Sequence, residues 1–202
     1  MGRECDLITS NIEVKSRSEV TPQMESLLKY HFESHCKGKF DPAEGVAPAY
    51  VKEMLTQYQY IVIITSKNHM GTRSKAVEKL CGFLFLKKKG KHAYIDIVCS
   101  SDKTGWRLLD FTENWVRENW KTDVVYLNAL GAVKCMYAFR GYREVSPSQG
   151  CKMTATSQPA GSESKGFRMS KCVKNGKNMS TKKLLPRGCD AKQNRQLYKE
   201  YM

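Results

Sequence analysis

The sequence predicts an α/β (α+β) fold in which helices cover both faces of a mixed, mostly antiparallel sheet. The chain opens with helical periodicity, continues with three strand-like segments in succession, and then alternates strand, helix, strand, helix and strand. Successive strands joined by short loops pair antiparallel, whereas a strand-helix-strand unit forms a parallel crossover. Together these patterns predict a mixed sheet between two helical layers.

The first helices are marked by local signals. Residues 1–20 alternate apolar and polar positions, which is typical of an edge strand. Thr21-Pro22 predicts a helix start, with Thr at the cap and Pro in the first turn. Two Gly and two Pro between Lys37 and Pro48 predict a loop. Apolar positions from Tyr50 to Tyr58 then predict a second helix.

The remaining elements follow from changes in period. The strands are predicted at Tyr60–Thr65, Leu80–Leu86, His92–Cys99, Val124–Ala129, Gly141–Val145 and Phe167–Val173, and the helices at Gly105–Trp120 and Ala132–Phe139. The long helix is amphipathic, and its charged residues Glu113 and Glu118 are expected on a solvated face.

Charge and length limit the function classes. The chain has 202 residues and a net charge of +14, which fits one domain and a surface that attracts polyanions. Twelve basic and three acidic residues lie between Lys152 and Met202, a net charge of +9. We predict a domain at 1–174 and a basic, flexible C-terminal tail at 175–202. Nucleic acid, a phosphorylated cofactor or an acidic protein would each fit such a charge.

Location and redox state are also predicted from composition. No apolar run could span a bilayer, and no secretory signal opens the sequence, so we expect no membrane association and an intracellular, cytoplasmic or nuclear protein. The eight cysteines form no CxxC pair and no zinc pattern, and we expect free thiols in a reducing compartment. His31 and His35 lie one helical turn apart, but without further ligands they predict a solvated helix face and not a metal site.

The segment from Tyr94 to Leu109 carries the strongest functional signal. A buried strand ends at Cys99, a short polar loop follows, and a helix begins at Gly105. The amides of such a loop and of the first helical turn point toward one place, which favours an anion. An ordinary strand-to-helix turn capped by Ser or Asp would show the same local features.

This segment resembles the pyrophosphate-binding element of the GNAT acetyltransferases, in which a glycine-bearing turn and Gly-x-x-Leu-Leu open a long helix. The strand Val125-Tyr126-Leu127-Asn128-Ala129 and the run from Tyr137 to Tyr142 resemble the family's next strand and its Tyr-x-x-x-Gly-Phe ending, with Tyr as the last residue. Phe167 to Lys171 is similar to its terminal strand. The resemblance covers about residues 5 to 174.

The resemblance implies an N-acetyltransferase that transfers the acetyl group of acetyl-CoA to an amine. The pyrophosphate would lie on backbone amides around Lys103, Thr104, Gly105 and Trp106, and the pantetheine arm would pair with Val98, Cys99 and Ser100. Tyr137 resembles the general acid by position, and Asp96 could serve as base if it faces the cleft. Otherwise Tyr137 is a buried aromatic, and Asp96 is an exposed or charge-pairing strand residue.

The departures from the family pattern favour a second hypothesis. The signature Gln/Arg-x-x-Gly-x-Gly/Ala is Ser100-x-x-Lys103-x-Gly105 in this chain, and Leu130 stands where many members have Asn. A GNAT-like fold used as a non-catalytic binding module would also fit, with the tail at 175–202 binding nucleic acid or an acidic protein. An edge strand or exposed helix could pair two copies as a homodimer.

Overall fold

A computed structural model of the chain describes residues 5, 10–36, 48–68, 77–101, 104–129, 133–144 and 167–173. The helices are α1 (Pro22–His35), α2 (Pro48–Gln57), α3 (Gly105–Trp120) and α4 (Lys134–Phe139), with a short 3₁₀ turn at Arg17–Glu19. The strands are β1 (Ser10–Ser16), β2 (Tyr60–Asn68), β3 (Val77–Lys89), β4 (His92–Ser100), β5 (Val124–Ala129), β6 (Arg143–Glu144) and β7 (Phe167–Cys172).

These strands form one mixed sheet in the order β1-β2-β3-β4-β5-β7-β6. The neighbours β4 and β5 are parallel and are joined through α3, whereas the other neighbouring pairs are antiparallel. The predicted fold class, a mixed and mostly antiparallel sheet with helices on both faces, is confirmed. The predicted edge strand is β1.

Apolar side chains fill a separate core on each face of the sheet. On one face α3 and α4 pack against β2 to β5, where Leu84, Leu108 and Leu127 are almost completely shielded from solvent. On the other face α1 and α2 pack against β2, β3 and the end of β4, around Phe32 and Phe85. Each such side chain contributes about 1.5–3 kcal/mol through burial. Central strands buried on both faces need continuous apolar sequences, which explains the run from Ile61 to Ile64.

Local signals set the helix ends. The Thr21 hydroxyl accepts a hydrogen bond from the Met24 amide at 3.2 Å, and Pro22 occupies the first helical position of α1. Helix α3 ends at Trp120, and its C-cap residue, Lys121, adopts a left-handed conformation with φ of 52°. Both ends therefore agree with the predicted bounds.

Other predictions were less complete or lie outside the described residues. Strands β2 and β3 extend several residues beyond their predicted ends. The division at residue 174 and the tail at 175–202 stay predictions, because description ends at Val173. Among the helices of the described ranges, none is long and apolar enough to cross a membrane.

Candidate active site

The parallel strands β4 and β5 separate halfway along β4. Their pairing runs from His92 opposite Val124 to Ile95 opposite Leu127 and goes no further. Beyond this point β4 continues to Ser100, while β5 continues beside β7. Among the described residues, no strand therefore pairs with Asp96 to Ser100 on this side, and these five residues form an open strand edge about 16 Å long, at a rise of about 3.3 Å per residue. An open edge of this kind can bind an extended ligand through backbone hydrogen bonds.

A bulge at Asp96 changes which face the β4 side chains occupy. Phe85 on β3 lies opposite Ile97, but the next residue of β3 lies opposite Ile95, so Asp96 has no partner in the β3–β4 register. As a result Ile95 packs into the α3 core, whereas Ile97 packs into the α1 and α2 core. Two residues that would share a face of a regular strand thus point to opposite faces.

Asp96 itself lies where the two strands separate. Its carboxylate forms an ion pair with Lys87 Nζ at 2.9 Å, and both side chains are largely shielded. Lys87 Nζ also lies 3.7 Å from the Met54 sulfur of α2. The pair therefore lies on the face covered by α1 and α2. The structure places a carboxylate, already paired with a cation, at the end of the opening.

The Cys81 carbonyl oxygen contacts both described ends of the loop from β4 to α3. Cys81 is a second bulged residue, without a partner on β2. Its carbonyl accepts hydrogen bonds from the Ser101 amide at 2.9 Å and the Ser101 hydroxyl at 3.1 Å, and the Thr104 hydroxyl lies 2.9 Å away. Because the Thr104 side chain turns inward, it does not cap α3. The N-cap side chain therefore leaves the amides at the N-terminus of α3 without a partner from Thr104, and helix-start amides of this kind favour an anion.

Two glycines let the backbone close up around Ser100. A Cβ at Gly105 would lie 2.7 Å from the Ser100 hydroxyl oxygen. A Cβ at Gly82 would lie 2.9 Å from the Cys99 carbonyl oxygen and 3.0 Å from Ser100 Cα. Only glycine fits such approaches without displacing a neighbour. Gly105 was predicted from the sequence, whereas Gly82 was not, because its role depends on its position opposite Ser100 in the sheet.

Tyr137 on α4 lies beside the start of α3. Its ring contacts that of Trp106 edge to face with centroids 6.2 Å apart, and that of Tyr142 with centroids 5.8 Å apart. Burial raises the pKa of Tyr137 to about 12. The phenol therefore stays protonated across the physiological range, which is the state required of a proton donor.

A buried polar cluster of Glu113, Tyr142 and Lys171 lies next to Tyr137. Glu113 was expected on the surface. Glu113 is 8% exposed, accepts a hydrogen bond from the Tyr142 hydroxyl at 2.9 Å and pairs with Lys171 Nζ at 2.6 Å. The expectation of a solvated Glu113 was wrong, because partners from two distant segments satisfy the carboxylate, whereas Glu118 is exposed as expected. Burial nevertheless raises the pKa of Glu113, although Lys171 opposes the shift.

Solved acetyltransferase structures share this architecture. A putative N-acetyltransferase from Lactobacillus plantarum aligns over 82% of this chain and 99% of its own, with a TM-score of 0.54 and 14% identity. Tetrahymena GCN5 aligns over 84% and 99%, with a TM-score of 0.56 and 9% identity. An acyl-CoA N-acyltransferase from Pseudomonas aeruginosa aligns over 80% and 99%, with a TM-score of 0.53 and 15% identity. The chain has the GNAT fold. No protein-family model and no curated protein matches the sequence.

The GNAT fold brings most of the predicted site residues to one region. Val98, Cys99 and Ser100 lie on the open edge of β4, and Thr104, Gly105 and Trp106 form the start of α3. Tyr137 reaches this region through its contact with Trp106. Asp96 lies at the opposite end of the open edge. Lys103 lies outside the described residues, and the roles of all these residues stay predictions.

One further cation lies close to the start of α3 in this GNAT fold. The Arg140 guanidinium carbon lies 4.8 Å from the centroid of the Trp106 ring, and its Nη1 lies 3.2 Å from Asp110 Oδ1. Sequence reasoning missed Arg140, although it lies inside the run from Tyr137 to Tyr142. The signal in the sequence was a basic residue directly before Gly141, within a run that was already assigned to the candidate site.

The expectation of free thiols was wrong for every described cysteine. Cys5 is bonded to Cys81 and Cys36 to Cys99, and Cys135 and Cys172 are also in disulfides. The paired residues are 76 and 63 positions apart in the chain, so only the folded topology brings them together. The other two cysteines of the sequence lie outside the described residues.

The histidines of α1 also differ from expectation. His31 is only 4% exposed, and its ring lies 4.5 Å from that of His35 and 6.1 Å from that of Phe83. The prediction of a solvated helix face was therefore wrong for His31, whose side chain lies between α1 and the sheet. Within the ranges that the structure describes, no three His, Cys, Asp or Glu side chains gather as metal ligands.

Proposed function

We propose that this protein is an acetyl-CoA-dependent N-acetyltransferase in which an amine attacks the thioester of acetyl-CoA directly. The observation that carries the proposal is that the open edge of β4 is followed in the chain by the N-terminus of α3, where the N-cap residue Thr104 provides no side-chain cap. The open edge suits an extended amide-bearing chain, and the helix end suits a phosphate group. Acyl-coenzyme A combines these two features in one molecule.

The residues present fit such a ligand. Gly105 has no side chain to cover the backbone at the start of α3. A Cβ at this position would lie 2.7 Å from the Ser100 hydroxyl oxygen. Backbone groups of Val98 to Ser100 would hold the pantetheine arm, and amides from Thr104 to Trp106 would hold the pyrophosphate. Arg140, beside Trp106, adds a positive charge to the same region.

The chain then has to manage two protons. Acetyl-CoA supplies an activated thioester, whose C–S bond breaks as a C–N bond to the amine forms. Tyr137 holds a proton at its hydroxyl and would donate it to the departing sulfur. The Asp96 carboxylate could accept the proton that the amine loses, with Lys87 holding it in place at 2.9 Å. Exchange with solvent would return both groups to their starting states.

The alternative is a non-catalytic GNAT-like module that binds nucleic acid or an acidic protein through residues 175–202. Its support is the net charge of +5 in this segment, which has seven basic and two acidic residues. A module of this kind needs neither a glycine at position 105 nor a proton donor at position 137. The binding of acetyl-CoA therefore separates the two functions.

The first test is calorimetric titration of acetyl-CoA into the full chain, followed by measurement of coenzyme A release with a panel of primary amines. We expect Arg140→Glu to weaken acetyl-CoA binding about 10- to 100-fold, because a hydrogen bond to a charged group contributes about 1.5–3 kcal/mol. The matched control is Arg117→Glu in the last turn of α3, which should bind normally. If the unmodified protein bound no acetyl-CoA, the enzyme proposal would fail and the binding module would be favoured.

A further inference from the structure

Each of the two strands on which the proposed coenzyme site is built, β3 and β4, is tied by a disulfide to another segment of the chain. Cys81 on β3 is bonded to Cys5, and Cys99 on β4 is bonded to Cys36. The Cys81 side belongs to the core under α3, whereas Cys99 belongs to the core under α1 and α2. The site is therefore fixed covalently from both faces of the sheet.

The Cys5–Cys81 disulfide fixes the residue that holds the loop. The Cys81 carbonyl accepts the Ser101 amide and hydroxyl, and the Thr104 hydroxyl lies within hydrogen-bond distance of it. Cys81 is bulged out of the β2 register, so a regular ladder does not fix its orientation. A covalent link to Cys5 supplies the constraint that the interrupted ladder does not.

The Cys36–Cys99 disulfide fixes the open edge itself. Cys99 lies next to Ser100 within the part of β4 that, among the described residues, has no partner on the β5 side. Its partner Cys36 is the C-cap residue of α1. The last residues of β4 are thus held by β3 on one side and by α1 through this bond.

We propose that Cys5–Cys81 and Cys36–Cys99 are positioning elements of the coenzyme site, and that the site is competent only when both are oxidised. This inference rests on the proposed function. Forming each disulfide removes two electrons and two protons from a pair of thiols, and a small-molecule disulfide accepts them to become two thiols. A dithiol reductant reverses the step. The competent form accordingly belongs to an oxidising compartment, contrary to the reducing one predicted from the sequence.

The experiment compares acetyl-CoA binding by the oxidised full chain with binding in the presence of a phosphine reductant. The paired variants Cys5→Ala/Cys81→Ala and Cys36→Ala/Cys99→Ala each remove one bond and leave no odd thiol. We expect binding at least about tenfold weaker in the reduced protein and in each paired variant, with an unchanged far-UV circular dichroism spectrum. The control is Val116→Ala, a buried α3 residue in the last turn, which lowers stability without touching the site.

Equal binding by oxidised and reduced protein would overturn the inference, as would an equal loss in Val116→Ala. A second measurement does not need the coenzyme. Hydrogen exchange at the Ser101 and Thr104 amides should speed up on reduction, while exchange in the β1–β2 pairing stays constant. If the oxidised protein bound no acetyl-CoA, the proposed function would fail and the exchange result would still decide whether the disulfides position the loop. Unchanged exchange at both amides would refute that role.

Discussion

Replacing Gly82 with alanine tests whether the close approach of β3 to the end of β4 builds the site. The added Cβ would lie 2.9 Å from the Cys99 carbonyl oxygen and 3.0 Å from both Ser100 Cα and Ser100 Cβ. Ordinary contacts begin near 3.4 Å, so the end of β4 must retreat by about 0.5 Å. Two of the three obstructing atoms belong to the backbone and cannot move by a side-chain rotation. Overpacking of this kind costs about 1–3 kcal/mol of the free energy of unfolding.

The same displacement moves Ser100, which lies on the proposed binding edge. A hydrogen bond contributes about 0.5–1.5 kcal/mol, so if the displacement breaks one backbone hydrogen bond to the coenzyme, acetyl-CoA binding should weaken by up to about tenfold. Urea unfolding measures the first effect and calorimetry measures the second, both on oxidised protein.

Gly90→Ala is the matched control for this substitution. Gly90 has φ of +59° and no atom within 4 Å of its would-be Cβ, so alanine there costs about 1 kcal/mol through backbone conformation alone. Gly90 follows β3 at the end far from Ser100, and its substitution should leave acetyl-CoA affinity unchanged. If Gly82→Ala altered stability and affinity no more than Gly90→Ala does, the close-approach argument would be refuted.

Two other substitutions test the residues around Tyr137. Tyr137→Phe should lower turnover about 100-fold or more while leaving the dissociation constant of acetyl-CoA unchanged, because it removes a proton donor and little contact area; Tyr94→Phe, at the far end of β4, should change neither quantity, and equal rates in the two variants would exclude Tyr137 as the acid. Glu113→Gln tests the raised pKa of the buried carboxyl. Since that pKa lies above its unfolded value of about 4.3, the stability of the unmodified protein relative to Glu113→Gln should be greatest below pH 4 and fall as pH rises through the folded pKa. Urea midpoints across pH measure the difference, and a constant difference would contradict the assigned environment.

The elements that were predictable carry their signals locally. The bounds of α3 and β5 coincide with the sequence predictions, and α1 begins at Thr21-Pro22 as expected. Both helices have a hydrophobic period and a start signal, Thr21-Pro22 for α1 and Gly105 for α3, and β5 is a short run of mostly apolar residues. The order of a strand, a polar loop and a helix that begins at Gly105, on which the proposed site rests, was predictable for the same reason, since these segments follow one another in the chain.

The bulge at Asp96 could not be predicted, although it shapes the opening. Buried and partly buried residues alternate without interruption from His92 to Ser100, so the pattern looks like a regular strand. Both faces of this sheet are covered, and a buried side chain therefore does not reveal which face it occupies. Ile95 and Ile97 belong to different cores, and only their register with β3 shows the change.

Residues whose environment depends on distant partners were also beyond local reasoning. Glu113 is separated from Tyr142 by 29 residues and from Lys171 by 58, and no nearby residue signals its burial. The cysteine pairs are separated further still, and without a CxxC motif their spacing contains no information about pairing. In both cases the side chain's identity favoured the wrong environment, because charged residues are mostly exposed and isolated cysteines in an intracellular chain are mostly free.

Contacts between distant segments also matter at the loop where this sequence differs from the glycine signature of the GNAT acetyltransferases. In the family pattern, two glycines let the loop backbone approach the pyrophosphate, whereas this sequence has Lys103 at the first of those positions. The structure retains close approach at Gly105 and adds Gly82 beneath Ser100. It also ties the loop ends, Ser101 and Thr104, to the Cys81 carbonyl. A loop with less glycine is stiffer and tolerates fewer conformations. Binding by such a loop depends on how firmly the loop is held in one conformation. Removing the disulfide at Cys81 or adding a side chain at position 82 should therefore weaken binding.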